Sequence, residues 1–459
     1  MSIEISLLNK LREPVRAGKT RPEAWRRQQL ERLGKLLEEN ENKILKALNA
    51  DLGKPANEAL FEIIALKQEI KVANKNLSNW MSKKRVKIPI PLQPGEAIVE
   101  REPLGCVLVI GPWNYPFSLT LQPLISALAA GNTAIIKPSE HAKCTSKLIA
   151  EVIPKYLPKD VVRVIEGDGS IAAQLTELPF DHIFFTGGGT IGKKVLLSAA
   201  ENLTPVTLEL GGKSPAIVLE DADIKVTSRR LIWGKNINSG QTCIAPDYLL
   251  VQESIKETLI NEMICSIKQF YGENPLRSVN RGRIVNKYHF HRLEKLITSC
   301  KLKDQVIHGG EVDENSNLIS PTLINIENIE DPLMRDEIFG PLLPILSINN
   351  LEEAINISKS LPRPLALYLF GGTSEQQQIL LRETSSGSVC FNDVIMQAGI
   401  PELPFGGVGA SGMGNYHGEA GFITFSHEKS ILRRPFWLDF KMRYPPYNID
   451  IKILKNLLG

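Results

Sequence analysis

The chain has 459 residues, more than one ordinary hydrophobic core accommodates, so we expect two or three domains. Hydrophobic residues make up 43% of the chain, and the net charge of +3 gives no reason to expect nucleic acid as a partner. The sequence shows no secretory signal, no apolar run of the ~18 residues that span a membrane, and no paired-cysteine or zinc-type spacing. We therefore expect a cytoplasmic protein with reduced thiols and no metal site.

The first part of the chain is predicted to be helical. Between residues 18 and 82, apolar residues recur at helical spacing between charged faces, which indicates two or three long amphipathic helices. Residues 87–100 contain two extended arms around Pro94-Gly95, a pattern that predicts a hairpin at an edge or on a projecting arm.

From residue 105 onwards, short apolar runs alternate with helical sequence. This alternation predicts parallel, doubly wound sheets, which bind ligands at the carboxyl ends of their strands. A second α/β stretch follows Gly211-Gly212. The predicted strands are 107–110, 133–136, 161–165, 183–185, 216–219 and 248–251.

Cys243 lies in a loop, because Gly240 precedes it and Pro246 follows it. A loop thiol with small and polar neighbours can be reached by a substrate and held as a reactive thiolate. The alternative is a cysteine that serves only as a small hydrophobic residue.

Asn114 follows the first predicted strand between aromatic and proline residues, so its carboxamide is rigidly placed and could donate to an oxyanion. It could equally cap the next helix. Glu209 stands between two leucines at a strand end, where partial desolvation would raise its pKa towards that of a useful base; a surface-facing glutamate is the alternative. The glycines of residues 187–192 suit either a phosphate or a tight strand-to-helix turn.

Taken together, these segments resemble the aldehyde dehydrogenase superfamily across nearly the whole chain, and the shortness of the chain with Cys243-Ile244-Ala245-Pro246-Asp247-Tyr248 resembles its class 3 branch. The segments that carry the resemblance, in the family's order, are Pro112-Trp113-Asn114, Lys137-Pro138-Ser139-Glu140, Phe185-Thr186-Gly187, Leu208-Glu209-Leu210-Gly211-Gly212, Gly240-Gln241-Thr242-Cys243, Glu337-Ile338-Phe339-Gly340-Pro341 and Pro404-Phe405-Gly406-Gly407.

The resemblance implies an α/β fold with a Rossmann-like parallel-sheet cofactor domain, an α/β catalytic domain and a β-arm for oligomerisation. It implies that Cys243 attacks the aldehyde carbon, that Asn114 and the Cys243 backbone N–H hold the oxyanion, and that Glu209 activates the water that hydrolyses the thioester. NAD is the expected preferred cofactor, with NADP usable. The implied cofactor-binding residues are Lys137, Glu140, Gly187, Gly192, Glu337 and Phe339.

A mostly apolar substrate funnel is expected to end at the thiol. Trp233 and Ile237 are four residues apart on one predicted helix, and Leu119 and Gln122 are three apart on another, so each pair shares a face. Ordinary helix packing is the alternative for Trp233. The full set of expected substrate residues is Tyr115, Leu119, Gln122, Trp233, Ile237 and Thr242.

The resemblance also implies a division of the chain. We expect residues 1–82 and 101–209 to form the cofactor-binding domain and residues 210–400 the catalytic domain. Residues 83–100 and 420–440 would form a bridging arm between the subunits of a homodimer. The remaining residues, 441–459, form an amphipathic tail that could pack on the protein's own surface or contact a membrane peripherally.

Two other classes of function remain possible from the sequence. A non-catalytic scaffold of the same fold has no need of Cys243, Glu209 and Asn114 together. A thioesterase or acyltransferase that uses Cys243 without a cofactor leaves Lys137, Glu140 and Glu337 unexplained.

Overall fold

The structure is a computed structural model that describes residues 5–447 and 450–458. Residues 1–4, 448–449 and 459 fall in the predicted cofactor-binding domain and tail, and they lie outside the described residues. Within the described ranges, no helix is both long enough and apolar enough to cross a bilayer.

The secondary structure alternates as expected. In chain order the helices are α1 (Ile5–Arg16), α2 (Glu23–Leu52), α3 (Ala56–Trp80), α4 (Ser118–Ala129), α5 (Lys143–Tyr156), α6 (Gly169–Thr176), α7 (Gly189–Ala200), α8 (Ile224–Asn236), α9 (Lys256–Tyr271), α10 (Lys287–Lys301), α11 (Leu351–Ser360), α12 (Ser374–Glu383), α13 (Gly418–Thr424) and α14 (Ile451–Leu458). The strands are β1 (Lys84–Val86), β2 (Glu96–Pro103), β3 (Cys106–Ile110), β4 (Thr133–Lys137), β5 (Val162–Val164), β6 (His182–Thr186), β7 (Val206–Glu209), β8 (Pro215–Val218), β9 (Tyr248–Gln252), β10 (Val306–His308), β11 (Val312–Asp313), β12 (Leu318–Ile319), β13 (Thr322–Asn325), β14 (Leu342–Ile348), β15 (Ala366–Phe370), β16 (Ser388–Phe391), β17 (Gly412–Met413) and β18 (Ser426–Arg433).

The long opening helices, α2 and α3, confirm the prediction from apolar spacing. Their buried leucines and isoleucines pack with α4 and α5 on one face of the first sheet. Helix α2 ends at Gly53, which has φ 65° and donates its N–H to the carbonyl of Asn49. Glycine adopts this left-handed conformation without the penalty that a Cβ imposes.

The first sheet has the order β17-β7-β6-β3-β4-β5 and is parallel except for β17. The chain leaves β3 in one direction towards β4 and β5, and later returns to the other side of β3 with β6 and β7. Its switch point therefore lies between β3 and β6, where open α/β sheets form a ligand crevice. Ile110, at the end of β3, is in register with Lys137 on one side and Phe185 on the other.

The second sheet has the order β10-β13-β14-β9-β8-β15-β16 and is parallel except for β10. Its two faces are covered by separate apolar clusters. Cys243 lies between α8 and β9, and Glu337 lies shortly before β14, so both lie at the amino ends of strands. The rule that ligands bind at carboxyl ends therefore describes the contribution of the first sheet and not that of the second.

The predicted hairpin is present but wider than expected. Strand β1 pairs with β2 across residues 84–86 and 97–99, and residues 87–95 form the connection instead of an extended arm. Strand β2 pairs on its other side with β18, giving a three-stranded antiparallel sheet. The prolines thus lie in the connection, where no ladder hydrogen bond is lost.

Candidate active site

The turn before Cys243 is built from consecutive left-handed residues. Asn238, Ser239 and Gly240 have φ values of 52°, 53° and 75°. A Cβ at Gly240 would lie 2.3 Å from the carbonyl oxygen of Gly340, so a side chain there cannot be accommodated without moving the backbone. This close approach joins the Cys243 loop to the segment that follows Glu337.

Asn114 meets this turn directly. Its Nδ2 donates to the carbonyl of Gln241 at 3.0 Å, and Asn238 Nδ2 donates to the carbonyl of Asn114 at 2.8 Å. Helix α4 begins with Phe117 at its N-cap position, so the alternative that Asn114 caps this helix is wrong. A carboxamide has two N–H donors, and the bond to Gln241 uses one of them. The second is available for an oxyanion next to Cys243.

Tyr115 and Thr242, both predicted to line the substrate site, contact each other. Their hydroxyl oxygens are 2.7 Å apart. The pair therefore links the loop after β3 to the residue that precedes Cys243. Burial raises the pKa of Tyr115, so its hydroxyl stays protonated.

Glu209 ends β7 and is buried, with 2% of its surface exposed. The alternative of a surface-facing glutamate is therefore wrong. Neither of its carboxylate oxygens has a hydrogen-bond partner among the described residues. Burial raises the pKa of Glu209 well above its ordinary value. An unpartnered carboxyl group of this kind binds a proton readily, as a general base must.

The half-buried Cys243 thiol is not held as a thiolate at rest. Burial, together with the carboxylates of Glu337 and Glu209, raises the pKa of Cys243 to about 12. The neighbours of Cys243 along the chain reveal neither this burial nor the two acids brought from elsewhere. The thiol must therefore lose its proton to a base before it attacks.

Glu337 lies against the glycines that follow Glu209. A Cβ at Gly211 would lie 1.9 Å from Glu337 Oε2, and the Gly212 backbone N–H donates to the same side chain. Burial and the negative charge of Asp247 raise the pKa of Glu337 to about 8. The lack of side chains at Gly211 and Gly212 therefore allows Glu337 to lie close to this backbone.

Lys137 and Glu140 form a pair where β4 ends. Lys137 Nζ lies 2.7 Å from Glu140 Oε2, and the lysine is buried while the glutamate is half-buried. Burial opposes ionisation of Glu140, but the hydrogen bond from Lys137 and its positive charge outweigh burial and lower the pKa of Glu140. The pair presents a fixed carboxylate and ammonium at the carboxyl edge of the first sheet.

Gly187 and Gly192 lie on either side of the start of α7. A Cβ at Gly192 would lie 2.7 Å from a methyl group of Leu210, and one at Gly187 would lie 2.6 Å from the Phe185 ring. Packing alone thus requires both glycines. A Cβ at Gly188 or Gly189 would meet nothing within 4 Å, so the backbone at the amino end of α7 is open to a ligand.

These residues fit a dinucleotide. The edge of the first sheet offers the Lys137–Glu140 pair and an open helix N-terminus, where anions are favoured. Phe339, with φ 50°, lies edge-on to the Trp113 ring at 5.3 Å. Trp113 also contacts the ring of His289 at 5.0 Å, a neighbour that sequence reasoning missed because the segment that forms α10 carries no motif.

The expected substrate residues lie in different environments. Trp233 is half-buried and packs against one of the two apolar clusters of the second sheet, so ordinary helix packing is still an alternative for it. Ile237 is buried. Leu119 is half-buried. The amide of the buried Gln122 lies 3.0 Å from Nε2 of His417, and this contact uses part of its hydrogen-bonding capacity.

Sequence reasoning also missed an aromatic wall near these residues. Phe405 and Tyr416 form an isolated backbone bridge, and the His417 ring stacks on Phe405 at 5.2 Å. Burial and the charges of Glu209 and Cys243 raise the pKa of Tyr416, which indicates that Tyr416 lies near both. The motif at residues 404–407 was the signal for this wall, but it did not reveal which residues Phe405 would meet.

The sequence and structure match known proteins over nearly their full length. A model of the aldehyde dehydrogenase family matches residues 10–431. The chain is 45% identical to 4,4'-diaponeurosporen-aldehyde dehydrogenase from Staphylococcus aureus over 95% of both proteins, and 44% identical to a mouse aldehyde dehydrogenase described as dimeric and NADP-preferring, over 97% of this chain and 98% of the other. A substrate-bound structure of AldH from Staphylococcus aureus covers 100% of both chains with a TM-score of 0.96 and 43% identity. The chain therefore belongs to the aldehyde dehydrogenase family and is an NAD(P)-dependent enzyme with the family's α/β fold.

Proposed function

We propose that this enzyme oxidises apolar aldehydes, namely medium-chain or long-chain aliphatic, aromatic or polyene aldehydes, to carboxylic acids with Cys243 as nucleophile. One observation carries the proposal. Asn114 Nδ2 bonds to the loop of Cys243, and the unpartnered carboxyl group of Glu209 is close enough to the Cys243 thiol to raise its pKa. This set supplies a nucleophile, an oxyanion donor and a base.

The first half of the reaction acylates the enzyme. A carboxylate takes the proton from Cys243 Sγ, and the sulfur attacks the aldehyde carbon. The second N–H of Asn114 Nδ2 and the backbone N–H of Cys243 donate to the oxygen of the thiohemiacetal. Bound NAD(P) would supply the acceptor for the hydride that leaves this carbon, and Cys243 would then carry the thioester.

The second half releases the acid. Glu209 takes a proton from water, and the resulting hydroxide attacks the thioester carbon while the same donors hold its oxygen. The sulfur then leaves and recovers a proton. The raised pKa of Glu209 suits this role, because a carboxylate that gains a proton easily is an effective base near neutral pH.

For the cofactor, we propose that Lys137 and Glu140 hold the adenosine ribose, that Gly187 and Gly192 lie near the dinucleotide, and that Glu337 and Phe339 hold and flank the nicotinamide riboside. Glu140 is kept ionised by Lys137, which suits the free hydroxyls of NAD and repels the 2′-phosphate of NADP. NAD is thus the proposed preferred cofactor, with NADP usable.

The nucleophile is tested by Cys243→Ala. We expect no reduction of NAD by an aldehyde, with the fold and cofactor binding retained, measured by absorbance of the reduced nicotinamide. A variant that still turns over would overturn the assignment. The same assay on the unmodified enzyme separates the dehydrogenase from a scaffold, which gives no signal, and from a thioesterase, which needs no cofactor.

The substrate class is supported by apolar side chains near the thiol. Gly234 of α8 lies against Val394, because a Cβ there would be 2.3 Å from a Val394 methyl group. Cys243 and Trp233 both pack against the apolar cluster that contains Val394. The relative from Staphylococcus aureus is named for a polyene aldehyde.

A homologous series of aldehydes tests this. Each buried methylene contributes up to ~0.8 kcal/mol, so kcat/KM should rise by one or more orders of magnitude from acetaldehyde to a medium chain and then level off. A flat profile, or a preference for charged aldehydes, would contradict an apolar funnel lined by Tyr115, Leu119, Trp233, Ile237 and Thr242. Gln122, whose amide contacts His417, belongs to the same proposed lining.

We also propose that the enzyme is a homodimer with the domain division given above, in which residues 83–100 and 420–440 form the bridging arm. Residues 83–100 and 420–440 contain the antiparallel arm, whose strand β18 has a free edge in the described chain. Leu197 and Leu203 are exposed at 70% and 90%, a feature typical of a covered interface. A relative at 44% identity is named dimeric. Light scattering coupled to size exclusion would measure the mass.

We propose that the enzyme is cytoplasmic and that its tail, residues 441–459, contacts membrane surfaces peripherally together with the segment before it. Packing of the tail on the protein's own surface is the alternative. Phe436 and Trp437 are exposed at 103% and 78%, and Lys441 and Arg443 follow them. Aromatic and basic side chains together favour an anionic interface. Flotation with anionic vesicles tests this; loss of the enzyme from the floating fraction in high salt is expected, and absence of binding at low salt would contradict it.

A further inference from the structure

Helices α4 and α5 follow the two strands that end at the candidate active site, and neither has a local N-cap side chain. The cap residues are Phe117 and Ala142, which carry no hydrogen-bond acceptor in their side chains. The exposed backbone N–H groups of a helix start need acceptors. In both cases a carboxylate from the opening helices supplies them.

Glu62 of α3 caps α4. Its Oε2 accepts from the backbone N–H groups of Phe117 and Ser118 at 3.0 and 2.9 Å and from the Ser118 hydroxyl at 3.2 Å. Its other oxygen lies 2.5 Å from Nζ of the fully buried Lys54. The same ammonium group lies 3.9 Å from the centre of the Tyr115 ring. The Lys54–Glu62 pair thus contacts the residues that directly follow Asn114 in this short loop.

Glu58 lies one helical turn earlier on the same face of α3. It accepts from the backbone N–H of Asn238 at 2.9 Å. Asn238 begins the left-handed turn before Cys243, and its side chain donates to the carbonyl of Asn114. One face of α3 is therefore bonded to both loops whose N–H groups would hold the oxyanion.

We propose that Glu62, with Lys54 and Glu58, positions the oxyanion donors of Asn114 and Cys243 for the acylation step. None of the three touches the reacting atoms; they are positioning residues. This inference rests on the proposed role of Asn114. Displacement of a catalytic group by ~1 Å can cost roughly 100-fold in rate. Loss of the contacts made by Glu62 should therefore lower the acylation rate without changing the affinity for the cofactor.

The protein provides a matched control. Asp51, at the end of α2, caps α5 with the same set of bonds, accepting from Cys144 N, Thr145 N and the Thr145 hydroxyl at 2.8 to 2.9 Å. It has no bond to the Asn114 loop or the Cys243 loop among the described residues. Asp51→Ala therefore removes a helix cap of equal size without releasing an oxyanion donor.

The experiment measures the first turnover of hexanal at saturating NAD by stopped-flow absorbance, with the NAD Kd and the Tm of each variant. For Glu62→Ala we expect an acylation rate roughly 10-fold to 100-fold lower with the NAD Kd within about twofold. For Asp51→Ala we expect a smaller loss in Tm, because Asp51 is half-buried and leaves no buried cation unpaired, and an acylation rate within about twofold of the unmodified enzyme. Equal rate losses in the two variants, or an unchanged rate in Glu62→Ala, would overturn the proposal.

A double-mutant cycle with Asn114→Ala gives a readout that a purely structural role would not produce. If Glu62 acts through Asn114, Glu62→Ala should slow an Asn114→Ala enzyme by less than about threefold, and fully additive losses would overturn the proposal. An unchanged rate in Asn114→Ala alone would instead refute the oxyanion role in the proposed function. Should Glu62→Ala fail to fold, Glu62→Gln and Glu58→Gln replace it, and normal acylation rates in both would overturn the inference.

Discussion

Two carboxylates at the same edge of the first sheet differ in every electrostatic respect. Glu140 follows β4 and is half-buried beside Lys137, whose ammonium group lies 2.7 Å from it. Glu209 ends β7, is 2% exposed and has no hydrogen-bond partner for either oxygen among the described residues. The pKa of Glu140 is lowered and that of Glu209 is raised.

The difference teaches how one sheet edge supplies two chemistries. At Glu140, the adjacent ammonium group of Lys137 keeps the carboxylate charged, in the form that accepts hydrogen bonds from hydroxyl groups. A carboxylate that takes a proton from water must gain that proton easily, and burial without a cation provides this. We expect substitutions that exchange or remove these environments to separate the two roles.

The largest effect is expected from Glu209→Gln. Glutamine cannot accept a proton from water, so steady-state turnover should fall roughly 10²-fold to 10⁴-fold, while a burst of about one reduced nicotinamide per site remains. Rapid-mixing absorbance measures both. Absence of the burst would mean that Glu209 also takes the proton from Cys243, whose pKa is about 12.

Lys137→Met should make the environment of Glu140 more like that of Glu209. Loss of the charge-assisted hydrogen bond should raise the KM for NAD roughly 10-fold to 100-fold, because a bond of this kind contributes about 1.5–3 kcal/mol. It should also raise the pKa of Glu140, so the KM should become more dependent on pH in acid. A KM equal to that of the unmodified enzyme would exclude the pair from cofactor binding.

Glu140→Gln should shift cofactor choice by about 10-fold towards NADP. The substitution removes the negative charge that repels a 2′-phosphate and leaves Lys137 free to attract it. The ratio of kcat/KM for the two cofactors measures this. Glu151→Gln, at an exposed position on α5, is the control; an equal shift there would implicate surface charge in general.

The smallest effect concerns stability. The pKa of Glu209 in the folded protein lies above its ordinary value of 4.5, so folding is favoured by protonation. Its contribution is fully present below pH 4.5 and is lost as pH rises through the folded pKa. Glu209→Gln removes this loss, so the free energy of unfolding of the variant should rise relative to that of the unmodified enzyme as the pH goes from 5 to 8. Thermal unfolding at both pH values tests the sign, and equal Tm differences would contradict it.

Much of this molecule could be predicted from local sequence. The alternation of strands and helices, the loop position of Cys243 and the strand-end position of Glu209 follow from apolar runs and from glycine and proline, and the structure confirms them. The contact of Gln122 with His417 could not be predicted, since 295 residues separate the partners. The width of the hairpin at residues 87–100 was misjudged because β2 takes its register partly from β18, far along the chain.

By itself the sequence determined which chemical groups are present and their order along the chain: a carboxamide, an acid, a thiol and a second acid, within the motifs of one family. Only the tertiary structure decided their state. Burial, together with the nearby carboxyl groups of Glu337 and Glu209, raises the pKa of the Cys243 thiol, and Asn114, which follows the carboxyl end of β3, bonds to the Cys243 loop. The pKa of a group and the direction of its donors depend on burial and on partners from distant segments such as α3, and no window of local sequence contains those partners.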